Sequence, residues 1–478
     1  MFLEKHFYNG ISSGFIETAV LFFVLLILVF IVSHFISAHI YKNSITFPLL
    51  KKLFTGRRFV ICSLLILFAL SLGLKLNNLD HPKRQFFDEN YFAFTAEEMA
   101  KGNPYGWQKG KLAPGKKQYE WTHPPLGKEI TAVGVLIFGE NSFSWRIMQA
   151  MFGALGTIFI FFLAKALFSS SGVGLFASFL YTFESFLFVF SRIALVDIYL
   201  FNFILLASLF FVIFAKRQCY KYLLFSAFFS GAAMSVKWTG AIAVVFLFSL
   251  SVLVILYKNY YLQKKSGLPW KQLFAAGSLF SVVPLSVYLA SYIPYFLNGN
   301  SLGDFISFQE TMYEYHKNVS KLHRYRSEWW SWPLLIRPVC LYIEKIGKYR
   351  EYIYALGNPV IWWTGFLAIV VSAYYCIRYR YYPLMFVVLS FMAYMLPWAI
   401  SPRKITYIYH YMPSLLFVIL ALSFILHKIW SISIKYKIVV SYFLICVVAA
   451  FIFFHPVLSG ERIPKTDLKH YRWMISWI

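Results

Sequence analysis

Charge is scarce in this chain: Asp, Glu, Lys and Arg make up 14% of 478 residues, against roughly a quarter in a soluble domain. With 59% of residues hydrophobic and 21% aromatic, that scarcity excludes a soluble globule. Acidic residues are scarcer still, 20 against 45 Lys and Arg, which leaves a net charge of +25. The chain has no Lys/Arg-rich arm and no nucleic-acid motif, so the excess does not point to nucleic acid. Basic residues in loops instead orient helices and meet anionic lipid headgroups. Cysteine is sparse too: Cys62, Cys219, Cys340, Cys376 and Cys446 are scattered and odd in number. No CxxC pair occurs, which argues against both a disulfide framework and a thiolate zinc site. Internal repeats and low-complexity tracts are also missing, which weakens an inverted-repeat transporter reading. The amino terminus lacks a short apolar stretch followed by a small-residue cleavage site, so the first apolar run is expected to be retained.

What the chain does have is long apolar runs. Runs of about 18 residues or more can cross a hydrocarbon core of about 30 Å. Within lipid, backbone polar groups must pair internally, which allows only helices or a closed barrel. The runs are continuous rather than alternating, so helices are expected. Spans read near 14–38, 58–76, 146–168, 172–190, 196–215, 222–236, 238–257, 272–292, 359–377, 381–399, 408–427 and 437–455. Alternating about twelve spans puts five short basic connections on one face. They contain Lys51, Lys52, Arg57 and Arg58; Lys216, Arg217 and Lys221; Lys258, Lys264, Lys265 and Lys271; Arg378 and Arg380; Lys428, Lys435 and Lys437. The positive-inside rule makes that face cytoplasmic. Two long segments, 77–145 and 293–358, then face the exoplasmic side, and loops of that length are usually functional. Within the first, Ile130 to Phe138 is too short to span and reads as a re-entrant or interfacial helix.

The first long loop opens with Phe86-Phe87-Asp88-Glu89-Asn90-Tyr91-Phe92. Two adjacent acids among aromatics at a membrane end suit a general base whose pKa is shifted by apolar neighbours, although a solvated carboxylate pair would look the same. Trp121-Thr122-His123-Pro124-Pro125-Leu126-Gly127-Lys128 follows, then Arg146 in Phe143-Ser144-Trp145-Arg146. A short turn carries Arg192 and Asp197, which can pair with one another or with headgroups. Lys237 lies between two spans in Ser235-Val236-Lys237-Trp238. Ionisable groups near membrane depth are functional candidates by default. Together, acids and cations facing one compartment suggest a lipid-phosphate donor site.

These segments resemble, in order, those of the protein O-mannosyltransferase family. The carboxyl half is similar as well, through Trp329-Trp330-Ser331-Trp332-Pro333-Leu334, Gly357-Asn358-Pro359-Val360-Ile361-Trp362-Trp363 and Tyr409-His410-Tyr411-Met412-Pro413. The resemblance runs from about residue 58 to the end and implies an all-α, polytopic GT-C fold. It divides the chain into an extra helix and basic loop at 1–57, a catalytic region at 58–292, and a second loop with a four-helix region at 293–478. Eukaryotic members insert MIR domains where 293–358 is too short to hold them, so a bacterial-type member is implied. The implied activity moves mannose from polyprenyl-phosphate mannose to Ser or Thr of exported polypeptides at the plasma (inner) membrane, with the active site exoplasmic. The lipid-linked sugar is then a substrate, and no metal or cofactor is expected. In the family the acidic pair is catalytic, which maps onto Asp88 and Glu89. Lys237, Arg146 and Lys128 are the expected phosphate partners, because a leaving phosphate needs fixed positive charge. His123, Arg192, Asp197, Trp329, Trp332, Arg403 and His410 complete the candidate set. The rival readings are a GT-C transferase acting on lipid A or another glycolipid, and a transporter.

Overall fold

The computed structural model describes residues 56–110, 118–319, 324–403 and 405–477. The expected span at 14–38, with Lys51 and Lys52, lies outside the described residues. Among those described, nine helices are long and apolar enough to cross a membrane. They run Arg57–Leu76, Ser142–Phe168, Asp197–Arg217, Trp238–Leu262, Trp270–Ser291, Pro359–Tyr379, Tyr382–Ile400, Ile408–Trp430 and Ile434–Ser459. Asp197–Arg217 and Ile408–Trp430 are 78% buried and form the centre of the bundle, whereas Arg57–Leu76 is 11% buried. Its Ile61, Leu65, Ile66 and Leu70 are left exposed, as suits a lipid-facing helix. This is a multi-pass membrane protein.

Two expected spans take other forms. The segment 222–236 becomes Tyr220–Val236, a helix of 17 residues. The segment 172–190 breaks into Ser171–Thr182 and Ser185–Phe190. The cause of the break is Glu184, whose carboxylate accepts from Leu187 N at 2.6 Å and so caps the second piece. It also accepts from Asn358 N at 3.1 Å and Trp362 Nε1 at 2.8 Å. Asn358 in turn donates to Phe183 O at 3.1 Å and Val447 O at 2.9 Å, and its side chain caps Pro359–Tyr379. This polar knot, buried among apolar helices, joins the two halves of the bundle.

The helices alternate in direction, so the ends at Leu76, Val236, Ser291, Ile400 and Ser459 share one membrane face. The described residues of 77–141 and 292–358 lie on that face, and the short basic turns lie at the other. The expected interfacial helix is Leu126–Phe138, with Val133, Leu136, Ile137 and Phe138 exposed. The second long segment contains a feature beyond the all-α expectation. Strands β1 (Val339–Ile346) and β2 (Tyr349–Ala355) form an antiparallel hairpin, and β3 (Arg462–Pro464) adds to β2. The hairpin turns at Gly347, whose φ of 54° is cheap only for glycine.

Removing the Glu184 acceptor leaves several buried donors unpaired, each worth about 1–3 kcal/mol. Glu184→Ala is therefore expected to lower stability by about 3 kcal/mol or more, and Glu184→Gln, which keeps an oxygen, by clearly less. Thermal unfolding in detergent checks this, and equal transitions for both variants and the parent would contradict it.

Candidate active site

A cavity of about 820 Å³ opens at the face carrying the two long segments. Asp88, His123, Asp197, Lys237, Arg403 and His410 line it, so six candidates from distant parts of the chain meet there. Among the described residues, Glu89, Lys128, Arg146, Arg192, Trp329 and Trp332 lie outside its lining.

The two adjacent carboxylates part company because of where the helix starts. Phe87 takes φ 50°, a left-handed turn that bulky residues rarely adopt, and Asp88 follows as the N-cap of Glu89–Ala100. Successive helical residues point about 100° apart. Asp88 therefore faces the cavity while Glu89 turns into the protein. No described side chain donates a hydrogen bond to Asp88. Burial raises its pKa to about 6, helped by Glu120 and Asp197 and opposed by Lys237.

Glu89 is fully buried against Arg146, which is also fully buried. Arg146 Nε and Nη2 each reach a Glu89 oxygen at 2.8 Å, a bidentate pair. Ala194 N donates to the same carboxylate at 2.8 Å. The remaining Arg146 N–H groups go to the carbonyls of Leu79, Pro82 and Arg84. A guanidinium has five N–H donors, and all are engaged. The expectation that Arg146 holds a donor phosphate does not fit this geometry, nor does a direct chemical role for Glu89.

Lys128 meets the same limit. Its ammonium donates to Glu120 O at 2.6 Å, Glu120 Oε2 at 2.7 Å and His123 O at 2.9 Å, which uses all three protons. It folds the Trp121-to-Lys128 turn onto Glu120 and has nothing left for a phosphate. Burial favours a neutral Glu120, but Lys128 and His123 outweigh that and hold its carboxyl well below the usual range. His123 contacts Glu120 through Nδ1 at 2.9 Å, and its pKa is lowered, chiefly by burial.

Lys237 and Arg403 are different. Lys237 sits where Tyr220–Val236 ends, in a turn so tight that a Cβ at Gly240 would fall 2.2 Å from the Ala233 carbonyl carbon. Among the described residues its ammonium makes one hydrogen bond, to Asp197 Oδ1 at 2.7 Å, and it lies over the Tyr409 ring. It lines the cavity, and two of its three donor positions have no acceptor among the described residues. Arg403 donates to Ile405 O at 2.9 Å and contacts His316 Nδ1 at 3.3 Å, and it forms no ion pair among the described residues. His316 Nε2 faces the Thr122 carbonyl at 2.7 Å and must carry its proton there, so Nδ1 accepts from Arg403. Burial, His123 and Arg403 lower the His316 pKa to about 3, which keeps it neutral.

The other candidates play supporting parts. Arg192 does not pair with Asp197; it caps the end of Arg57–Leu76 through the carbonyls of Leu74, Lys75, Asn77 and Asn78. Trp332 is fully buried, donates to Ser327 Oγ at 3.0 Å and backs the His410 ring. Trp329 packs against the core. Sequence reasoning missed Glu120, His316, Trp398 and Tyr409. Glu120 stood one residue before Trp121 as a lone acid, and nothing in the pattern around His316 marked it.

Known proteins resemble most of the chain. Residues 65–298 match the family model for dolichyl-phosphate-mannose-protein mannosyltransferase, and 301–477 match that for the C-terminal four-transmembrane region of protein-O-mannosyltransferase. The polyprenol-phosphate-mannose–protein mannosyltransferase of Mycolicibacterium smegmatis is 25% identical over 86% of this chain and 92% of its own. Its Mycobacterium tuberculosis counterpart is 23% identical over 88% and 92%. The fold matches the Saccharomyces cerevisiae protein O-mannosyltransferase Pmt1-Pmt2 complex bound to the sugar donor, with TM-score 0.76 at 15% identity, covering 89% of this chain and 93% of that one. ArnT from Cupriavidus metallidurans, bound to undecaprenyl phosphate, matches at TM-score 0.55 and 14% identity over 82% and 70%.

Breaking a buried ion pair from one side strands a charge, at a cost of about 3–5 kcal/mol. Arg146→Met is expected to destabilise the protein by that order, and adding Glu89→Gln is expected to recover part of the loss. Thermal unfolding of the single and double variants decides it. A fully stable Arg146→Met protein with only weakened donor binding would return Arg146 to the site.

Proposed function

The chain belongs to the protein O-mannosyltransferase family, and we propose that its cavity moves mannose from a polyprenyl-phosphate carrier onto Ser or Thr hydroxyls of exported polypeptides. The observation that carries the reading is the division of labour across one cavity. Asp88 offers a carboxylate with no hydrogen bond from described side chains, while Lys237 and Arg403 offer N–H donors that no other described residue engages. Both matching family models describe protein mannosyltransferases, which favours this reading over a glycolipid transferase or a transporter.

The reaction is a single inverting displacement. The acceptor oxygen bonds to the anomeric carbon of mannose as its proton passes to Asp88. The bond from that carbon to the phosphate oxygen breaks, its electron pair stays with the carrier, and the phosphate gains one negative charge. Lys237 and Arg403 stabilise that charge as it develops. Asp197 and His316 position these two cations, and Glu120 positions His123 beside them. The reaction as proposed needs no cofactor, since the lipid-linked sugar is a substrate. The cavity opens at the helix ends opposite the short basic turns, and the charge rule supports an exoplasmic assignment for it. A plasma-membrane enzyme glycosylating polypeptides on export fits this orientation.

Incubating membranes with labelled polyprenyl-phosphate mannose and a Ser/Thr peptide tests the activity, and label in a lipid product instead of peptide would overturn it. Asp88→Asn is expected to cut turnover by ~10²–10⁴-fold while donor binding persists. A base must be ionised to accept a proton, so with a pKa of about 6 turnover is expected to rise with pH through about 6 and level off above it. The pH–rate profile checks this, and a limb that survives in Asp88→Asn would assign the base elsewhere. Arg403→Gln and Lys237→Met are each expected to weaken donor use with peptide affinity near normal, and unchanged kinetics across donor concentrations would exclude them.

A further inference from the structure

A second cavity, of about 580 Å³, lies away from the catalytic one, between the β-hairpin and the carboxyl-terminal segment. Lys345, Arg350, Lys465 and Lys469 line it, and among the described residues no carboxylate does. Lys345 and Arg350 are directly opposed across β1 and β2, an arrangement of like charges that costs stability. Nearby acids are occupied elsewhere: Glu344 pairs with Arg84, and Glu351 with Arg462 and His81. Asp467, beside the lining residue Thr466, accepts a hydrogen bond from it at 2.9 Å. Four converging cations with no lining counter-charge among the described residues call for an anion.

Its depth identifies the anion. After β3 the chain turns back along the last membrane helix. The Trp473 and Trp477 rings lie 4.9 and 5.9 Å from Phe454, and Tyr471 lies 5.2 Å from Phe453. Phe453 and Phe454 occupy the end of that span, so the segment sits at headgroup level, where aromatic rings gather. Ile475 in the lining is 56% exposed, an apolar side chain suited to the acyl boundary. We propose that this cleft is a binding site for the phosphate of an anionic phospholipid in the leaflet beside the catalytic cavity. The lipid ties the hairpin to the carboxyl-terminal segment by neutralising the opposed cations. An acidic polypeptide would meet the same charges, but it has no use for an apolar wall at membrane depth.

The test uses the full chain in nanodiscs of phosphatidylcholine with a minor fraction of phosphatidylglycerol, and lipid retention is read by native mass spectrometry. The parent protein is expected to retain phosphatidylglycerol over phosphatidylcholine by roughly tenfold, and K345Q/R350Q/K469Q to fall close to parity. Neutralising three cations at the opposite face, R378Q/K428Q/K435Q, is expected to leave the preference in place. Parity in the parent, or equal losses in both variants, would overturn the proposal. So would an acidic peptide or inorganic phosphate binding the cleft while phosphatidylglycerol shows no preference. If the cleft variant does not fold, a photoreactive phosphatidylglycerol on the unaltered protein decides. Crosslinks within 345–350 and 465–475 support the site, and crosslinks confined to other surfaces overturn it.

Discussion

The ion pair between Glu89 and Arg146 joins three parts of the chain that are far apart in sequence. Arg146 belongs to a membrane helix, Glu89 to the first turn of a loop helix, and Ala194 to the turn before the central helix. Burying both charges is costly and is repaid only when every polar atom finds a partner. Here both carboxylate oxygens and all guanidinium N–H groups do so. The pair fixes the rotational phase of the helix that begins at Glu89. That phase sets Asp88, one residue earlier, facing the cavity. The neighbouring carboxylate can thus be indispensable without touching substrate.

Hydrogen-bond capacity sorts the remaining charges. Lys128 and Arg146 are spent on internal acceptors, while Lys237 and Arg403 line the cavity and keep donors that no described residue accepts. Two of the three expected phosphate partners, Lys128 and Arg146, thus hold the walls, and Arg403 joins Lys237 as a proposed partner of the phosphate. His316 makes this possible: held neutral by its surroundings, it offers Arg403 a lone pair in place of a competing charge. The opposed Lys345 and Arg350 of the hairpin show the reverse case, like charges facing each other with no described carboxylate in the cleft beside them.

The membrane helices were legible because continuous apolar runs of spanning length have few other fates in lipid. The motifs around Asp88, His123 and Lys237 were legible because charge is so rare here that each instance stands out. What sequence could not show is how charges pair across long separations. Asp88 and Glu89 are adjacent and chemically alike, and only the helix phase tells them apart. Glu184 looked like an ordinary member of a span, since its partners Asn358 and Trp362 lie about 175 residues on. The hairpin did carry a signal, aromatic and branched residues around Gly347, but it fell in a segment read only as a long loop.

The central claim is that one carboxylate serves the acceptor while two particular cations serve the carrier phosphate. A structure of the protein in nanodiscs with a non-hydrolysable polyprenyl-phosphate mannose analogue and a Ser peptide tests it most directly. The account expects the Ser hydroxyl within hydrogen-bond distance of Asp88 and the phosphate against Lys237 and Arg403, with Glu89 and Arg146 still joined. A hydroxyl resting on Asp197 or Glu120, or a phosphate bound by Arg146 after its separation from Glu89, would contradict it.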